Sequence, residues 1–257
     1  MLVILVYYAK IVDLGSSVNK IGKFIGLSHI KRQVYRSKIT NFVHEKSNKM
    51  IKDIVFDFGG VLTLLDTEKA LQCFRNIGIE KPEDYINAYL QNGPFFSLEN
   101  GDITADKFCE ELSAIAGRTI TYEQAKEAWL GFIVKVQTEF LDYLQLLRPR
   151  YRLSVLSNTN PFIQSWARSK EFTPGGKSLD DYFDMLFLSY KMNASKPSEE
   201  IYRKMLLQGN MKAEETLFVD DGTKNIEAAR KIGINVLKVA NGEDWREILG
   251  KTLACYR

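Results

Sequence analysis

The stretch Ile51-Lys52-Asp53-Ile54-Val55-Phe56-Asp57-Phe58-Gly59-Gly60-Val61 is rich in β-formers and runs straight into a glycine pair. It reads as a strand that ends on an acidic residue and enters a tight turn. Four more short apolar runs follow downstream: 152–157 (RLSVLS), 185–189 (MLFLS), 216–219 (TLFV) and 235–239 (NVLKV). Runs that are apolar on both faces suit strands of a parallel sheet covered by helices on each side. Helical patterns lie between them, near 138–148, 160–169, 198–209 and 223–232, the last closed by Lys231 and Gly233. Alternation of this kind predicts an α/β fold with a doubly wound parallel sheet, with ligands taken up at the carboxyl ends of the strands.

Between the first two strands, residues 66–137 contain no convincing strand and read as helices near 67–77, 82–91, 104–116 and 122–136. Gly78 and Gly117 close two of these, and Thr121-Tyr122-Glu123-Gln124 is a capping-box pattern. Seventy-odd residues are too many for one crossover, so the segment reads as an inserted helical cap. The core is then 50–65 together with 138–257, a division compatible with the 257-residue length.

Charge separates a further segment. Residues 1–49 carry nine lysines and arginines against Asp13 and Glu45, a net of +7, whereas the remainder carries 26 basic and 30 acidic side chains, a net of −4. This basic extension shows no sustained apolar period, reads as poorly ordered, and carries no nucleic-acid motif, so no nucleic-acid partner is expected. Both histidines, His29 and His44, belong to it. The body therefore excludes Ser-His-Asp, Cys-His and His-ligated metal chemistry. Cys73, Cys109 and Cys255 lack metal-ligand spacing, and the longest apolar run near the start, Leu2 to Tyr8, has seven residues, far short of a membrane span. A cytoplasmic protein with no membrane partner is the expectation.

Chemistry gathers at the strand ends. Asp57 ends the first, Ser157 and Asn158 the second, Lys196-Pro197 precedes the helix after the third, and Asp220-Asp221-Gly222 ends the fourth. Each alone is an ordinary turn or cap. Together, on one edge of a sheet, they can attack phosphorus. A carboxylate and a phosphate repel each other by about 4 kcal/mol at 4 Å and an effective dielectric of 20. A hard cation such as Mg²⁺, held by Asp57, Asp221 and a backbone oxygen, would cancel that repulsion. Lys196 adds positive charge, and Ser157 with nearby amides can bind phosphate oxygens. These are the parts for phosphoryl transfer through an aspartyl phosphate.

Over residues 50–250 the chain resembles the haloacid dehalogenase-like (HAD) hydrolases. Four motifs carry the resemblance: Asp57-Phe58-Gly59-Gly60-Val61-Leu62, Val155-Leu156-Ser157-Asn158, Lys196-Pro197, and Phe218-Val219-Asp220-Asp221-Gly222 with Asn225 and Gly233 beyond. The likeness implies a Rossmann-like core with a C1 cap. Asn100-Gly101-Asp102-Ile103-Thr104, with Phe108 and Leu112, is similar to caps of the sugar-phosphatase branch, including glucose-1-phosphatase-like proteins. It further implies Asp57 as nucleophile and metal ligand, Ser157, Asn158 and Lys196 on the phosphate, and the Gly59 carbonyl and Asp221 on Mg²⁺. Asp220 and Asn225 would support them.

One position departs from the pattern. Most phosphatases of the family carry a second aspartate two residues after the nucleophile, where this chain has Gly59. A leaving group needing little protonation, such as a sugar anomeric oxygen, would tolerate that loss, so sugar 1-phosphates are expected to be preferred over alkyl phosphates. The expected activity is Mg²⁺-dependent hydrolysis of a small phosphorylated metabolite, with a sugar phosphate as partner. The rivals are a metal-independent dehalogenase and a non-catalytic phospho-ligand-binding protein.

Overall fold

The structure, a computed structural model, describes residues 50–86 and 92–256; the basic extension lies outside the described residues. The chain runs β1 (Asp53–Phe56), β2 (Thr63–Leu65), α1 (Thr67–Asn76), α2 (Gly93–Asn100), α3 (Ala105–Ala116), α4 (Tyr122–Leu130), β3 (Ile133–Val136), α5 (Thr138–Leu147), β4 (Arg152–Ser157) and α6 (Pro161–Ala167). It continues through β5 (Met185–Leu188), a short α7 (Ser189–Met192), α8 (Glu199–Gln208), β6 (Thr216–Asp220), α9 (Thr223–Lys231), β7 (Asn235–Lys238) and α10 (Arg246–Ala254).

Five strands form one parallel sheet in the order β5-β4-β1-β6-β7. The chain moves outward from β1 through β4 to β5, then crosses back to β6 on the other side of β1. The reversal of direction therefore falls at β1, which opens a crevice at its carboxyl end. Both faces of β1 are covered. Val55 joins Leu156, Phe187, Met205 and Phe218 on one face, while Phe56 packs against Trp245 at 5.1 Å and Phe183 at 6.1 Å on the other. That double burial is why these strands carry apolar runs rather than alternation. Asp53 opens β1 although it is buried, because Arg152 sits opposite it in register and bonds its carboxylate at 2.6 Å.

The segment between β2 and β3 is helical, with α1, α3 and the Thr121–Gln124 capping box as the sequence predicts. Two expectations need correction. The helix expected over 122–136 stops at Leu130, because residues 133–136 pair antiparallel with Thr63–Leu65. Both crossings between core and insert are thus clasped in one two-stranded ribbon. Over 82–91 the described part holds only a single 3₁₀ turn, Pro82–Asp84. The chain also adds α10, whose approach carries Trp245, its Nε1 donating to the Val61 carbonyl at 2.9 Å.

The insert has its own aromatic core. Phe95 is fully buried and touches Phe74 at 4.9 Å, Phe108 at 5.1 Å, Trp129 at 5.5 Å and Tyr85 at 5.6 Å. The cluster continues into the core through Phe162 on α6, which meets Tyr122 at 4.7 Å and Phe108 at 5.7 Å. Phe95→Ala removes a ring with contacts on every side and should destabilise the protein by about 3–5 kcal/mol, measurable as a lower urea midpoint; Phe96, which is exposed, should tolerate alanine with little change.

Candidate active site

Register brings the reactive residues to one place. Phe56 of β1 lies opposite Val155 and Val219, so the residue after each of these three strands emerges at the same edge. The Asp57 amide still follows the sheet, donating to the Val219 carbonyl at 2.8 Å. Beyond it the chain turns at Gly60, whose φ is +77°, a conformation few residues but glycine adopt. A Cβ at Gly60 would stand 2.3 Å from Asp221 Oδ2. Only a bare backbone lets that carboxylate approach.

Lys196 is the centre of the cluster. It is 3% exposed, and its Nζ lies 2.7 Å from Asp57 Oδ1 and 2.8 Å from Asp220 Oδ2. Burial pulls its pKa down, but Asp220 and Asp57 outweigh burial and hold the ammonium above the ordinary lysine value. Asp57 is 8% exposed. Its Oδ1 also accepts from the Phe58 amide at 2.7 Å. Burial, with Asp220 and Asp221 adding to it, raises its pKa well above the usual carboxylate range against the pull of Lys196. Asp221 is raised for the same reasons, burial first and Asp220 second.

Asp220 is fully engaged. Its oxygens accept from Lys196, from the Gly222 amide at 2.7 Å and from Asn225 Nδ2 at 3.0 and 3.2 Å. Its oxygens are thus shared among the lysine, a backbone amide and the Asn225 side chain. The Asn158 side chain was expected on the phosphate, but it bonds the backbone of Lys196 in both directions, at 2.8 and 2.9 Å. It holds the lysine loop in place. Ser157 is buried beside it, its hydroxyl making only a 3.2 Å contact to the Asn158 carbonyl. Asn160 caps α6 by accepting from the Phe162 and Ile163 amides, both at 3.1 Å.

Oxygens of Asp57, Asp220 and Asp221 all lie within 4.8 Å of one another. An all-carboxylate donor set, crowded around one ammonium and approached by a bare glycine, fits a hard divalent cation such as Mg²⁺. The charge count agrees: three carboxylates and one ammonium leave a net of −2.

One residue of the insert belongs to this neighbourhood although no local signal marks it. Glu99, near the end of α2, is half-buried. Burial pushes its carboxyl up to about 8, with the Asn160 side chain and the Lys196 charge pulling it back. In sequence it immediately precedes Asn100-Gly101, the start of the stretch singled out in the cap.

Residues 54–239 match the haloacid dehalogenase-like hydrolase family. A D-ribitol-5-phosphate phosphatase from Bacteroides thetaiotaomicron is 45% identical over 200 residues, which cover 78% of this chain and 97% of the relative. Among solved structures, a HAD-like family hydrolase from Porphyromonas gingivalis superposes with a TM-score of 0.76 at 40% identity, covering 79% of this chain and 98% of that one. A HAD family enzyme from Bacteroides thetaiotaomicron, complexed with magnesium and inorganic phosphate, gives a TM-score of 0.71 at 33% identity over 77% of this chain and 98% of its own. The match spans most of the sheet and the insert alike, and this chain belongs to the haloacid dehalogenase-like hydrolase family.

Proposed function

We propose that this protein is a Mg²⁺-dependent phosphomonoester hydrolase acting on a sugar or sugar-alcohol phosphate, with Asp57 as nucleophile. The observation that carries the reading is the buried Lys196 bonded to both Asp57 and Asp220, within a carboxylate trio compact enough for a cation. Asp57, Asp221 and the Gly59 carbonyl would hold Mg²⁺, which supplies positive charge against the transferring phosphoryl group. Lys196 neutralises a second phosphate charge and keeps Asp57 oriented. Ser157 has a hydroxyl with little competing demand and is placed to donate to a phosphate oxygen. Asn158 and Asp220 position Lys196 from its backbone and its ammonium respectively. Asp57 attacks phosphorus in line as the alcohol leaves, and water then hydrolyses the aspartyl phosphate.

For the substrate, the likeness to a D-ribitol-5-phosphate phosphatase supports a polyol phosphate. Ribitol 5-phosphate is an ester of a primary alcohol, a poor leaving group. That runs against the preference for anomeric 1-phosphates expected from Gly59 alone, and we replace that expectation with an alkyl ester. Such charged metabolites do not cross membranes unaided, which is consistent with a cytoplasmic site of action.

Phosphate release should appear across a panel of sugar and sugar-alcohol phosphates only with Mg²⁺, vanish with EDTA and return on adding the ion. Mg²⁺ should also raise the melting temperature, because it binds the folded trio and relieves its repulsion. Asp57→Asn should lower kcat by a factor on the order of 10⁴–10⁶, as expected when a nucleophile is removed; a variant retaining most of the phosphate release would rule out the covalent mechanism.

A further inference from the structure

Hydrolysis of an alkyl phosphate requires a proton for the departing alcohol, and the usual donor position cannot supply it. Position 59 is glycine, and a Cβ there would meet Leu65 Cδ1 at 2.7 Å. Leucine occupies the space a side chain would need. The proton must come from elsewhere, and the insert meets the core next to Lys196.

We propose that Glu99 is the proton donor to the leaving alcohol and the base for the attacking water, a role that rests on the phosphatase reading above. Three hydrogen bonds tie the end of its helix to the segment that carries Lys196. Ser189 Oγ donates to the Glu99 carbonyl at 2.6 Å, Asn193 Nδ2 to the Gly101 carbonyl at 3.1 Å, and Ser195 Oγ to Asn100 Oδ1 at 3.3 Å. Gly101, with φ +81°, makes this approach possible, since a Cβ would stand 2.1 Å from the Tyr190 carbonyl oxygen. Glu99 is therefore held at fixed distance from the lysine rather than carried on a loose lid.

The electrostatics agree with the placement. Burial raises Glu99 to about 8, so its carboxyl is protonated at neutral pH, near the optimum for an acid that must give up a proton and recover it. Elements packed on α2 carry Asp106, Lys107, Glu110 and Glu111 on α3 and Lys191 on α7. None of these acts on Glu99; Lys196 is the charge that does. Lys196 stays cationic across this pH window, since its own pKa is raised. Asn160 is fully buried, its Oδ1 is used as a helix cap, and its Nδ2 faces Glu99 without reaching hydrogen-bond distance of any acceptor. Lys196 touches Asp57 and acts on Glu99, so the ammonium links the two carboxyls. In-line displacement asks them to serve opposite sides of phosphorus.

The steps balance. As the Asp57–phosphorus bond forms and the phosphorus–alkoxy bond breaks, the Glu99 proton moves to the alkoxy oxygen, and the neutral alcohol departs. Water then attacks the aspartyl phosphate, gives its proton to the Glu99 carboxylate, and releases inorganic phosphate and the Asp57 carboxylate.

The test compares kcat/KM for D-ribitol 5-phosphate and for 4-nitrophenyl phosphate, whose leaving group departs as a stable anion, at saturating Mg²⁺. Because kcat/KM reports only steps through the first bond cleavage, it isolates leaving-group protonation. Glu99→Gln should lower the value for the alkyl ester by about 10²–10⁴-fold and that for the nitrophenyl ester by only a few-fold. Equal losses on both would overturn the proposal. If the variant does not fold, the wild-type pH profiles decide: the alkyl ester should lose kcat/KM as pH rises through about 8 while the nitrophenyl ester does not, and a limb shared by both overturns the assignment. A wild-type chain that cleaves only the nitrophenyl ester has no working donor and also overturns it. One that cleaves neither ester defeats the phosphatase reading itself, and this proposal with it.

Discussion

Everything at this site depends on too much negative charge being held around one buried ammonium. Lys196 bonds Asp57 and Asp220 directly, while an Asp221 oxygen lies within 4.8 Å of oxygens of both. Two unit charges 4 Å apart interact by about 4 kcal/mol even at an effective dielectric of 20, so a trio with a single counter-charge opposes folding. A cluster built for stability would balance itself, and this one does not. The imbalance persists because the residues are carried on strands whose register is set by apolar burial on both faces. The sheet overrules the local electrostatics, and the excess charge is what makes a dication and then a phosphate welcome.

The insert is joined to that centre by two different kinds of interaction. Its aromatic cluster reaches into the core through Phe162, immediately after the Asn160 cap of α6. Its α2 end is hydrogen-bonded to the segment from Ser189 to Ser195, next to Lys196. Hydrophobic contact supplies most of the attachment energy but little direction; the hydrogen bonds supply direction. A carboxyl at position 99 inherits the precision of the core even though it is contributed by the cap.

How legible this was from residues alone follows from physics at particular positions. The strands at 152–157 and 185–188 announce themselves because buried parallel strands need continuous apolar runs. Asp57, Lys196 and Asp220-Asp221 were visible because ligand-binding edges follow from strand order. The ribbon strand Ile133–Val136 was hidden, since four half-exposed residues (IVKV) look like a helix tail and their partner lies some seventy residues earlier. Asn158 was assigned to phosphate because its type allows it, while its pairing with the Lys196 backbone is a tertiary fact. Glu99 had no local signature at all. An acidic residue before a helix-ending glycine is ordinarily solvated, and only the seam between cap and core changes its proton affinity.

Environment, rather than residue type, then divides the acidic side chains into roles. Burial raises the proton affinity of both Asp57 and Glu99: Asp220 and Asp221 add to it at Asp57, and burial acts alone at Glu99. A divalent ion held by the trio would lower the first affinity, because Asp57 is among the groups whose repulsion it would cancel. It would leave the second largely intact, because Glu99 is not one of the three carboxylates gathered for the ion. Metal binding would thus separate two proton affinities that burial pushes in the same direction, which is what the proposed division into one carboxyl that attacks and one that donates requires. An acid on the cap, away from the carboxylate trio, is the placement that such a separation needs.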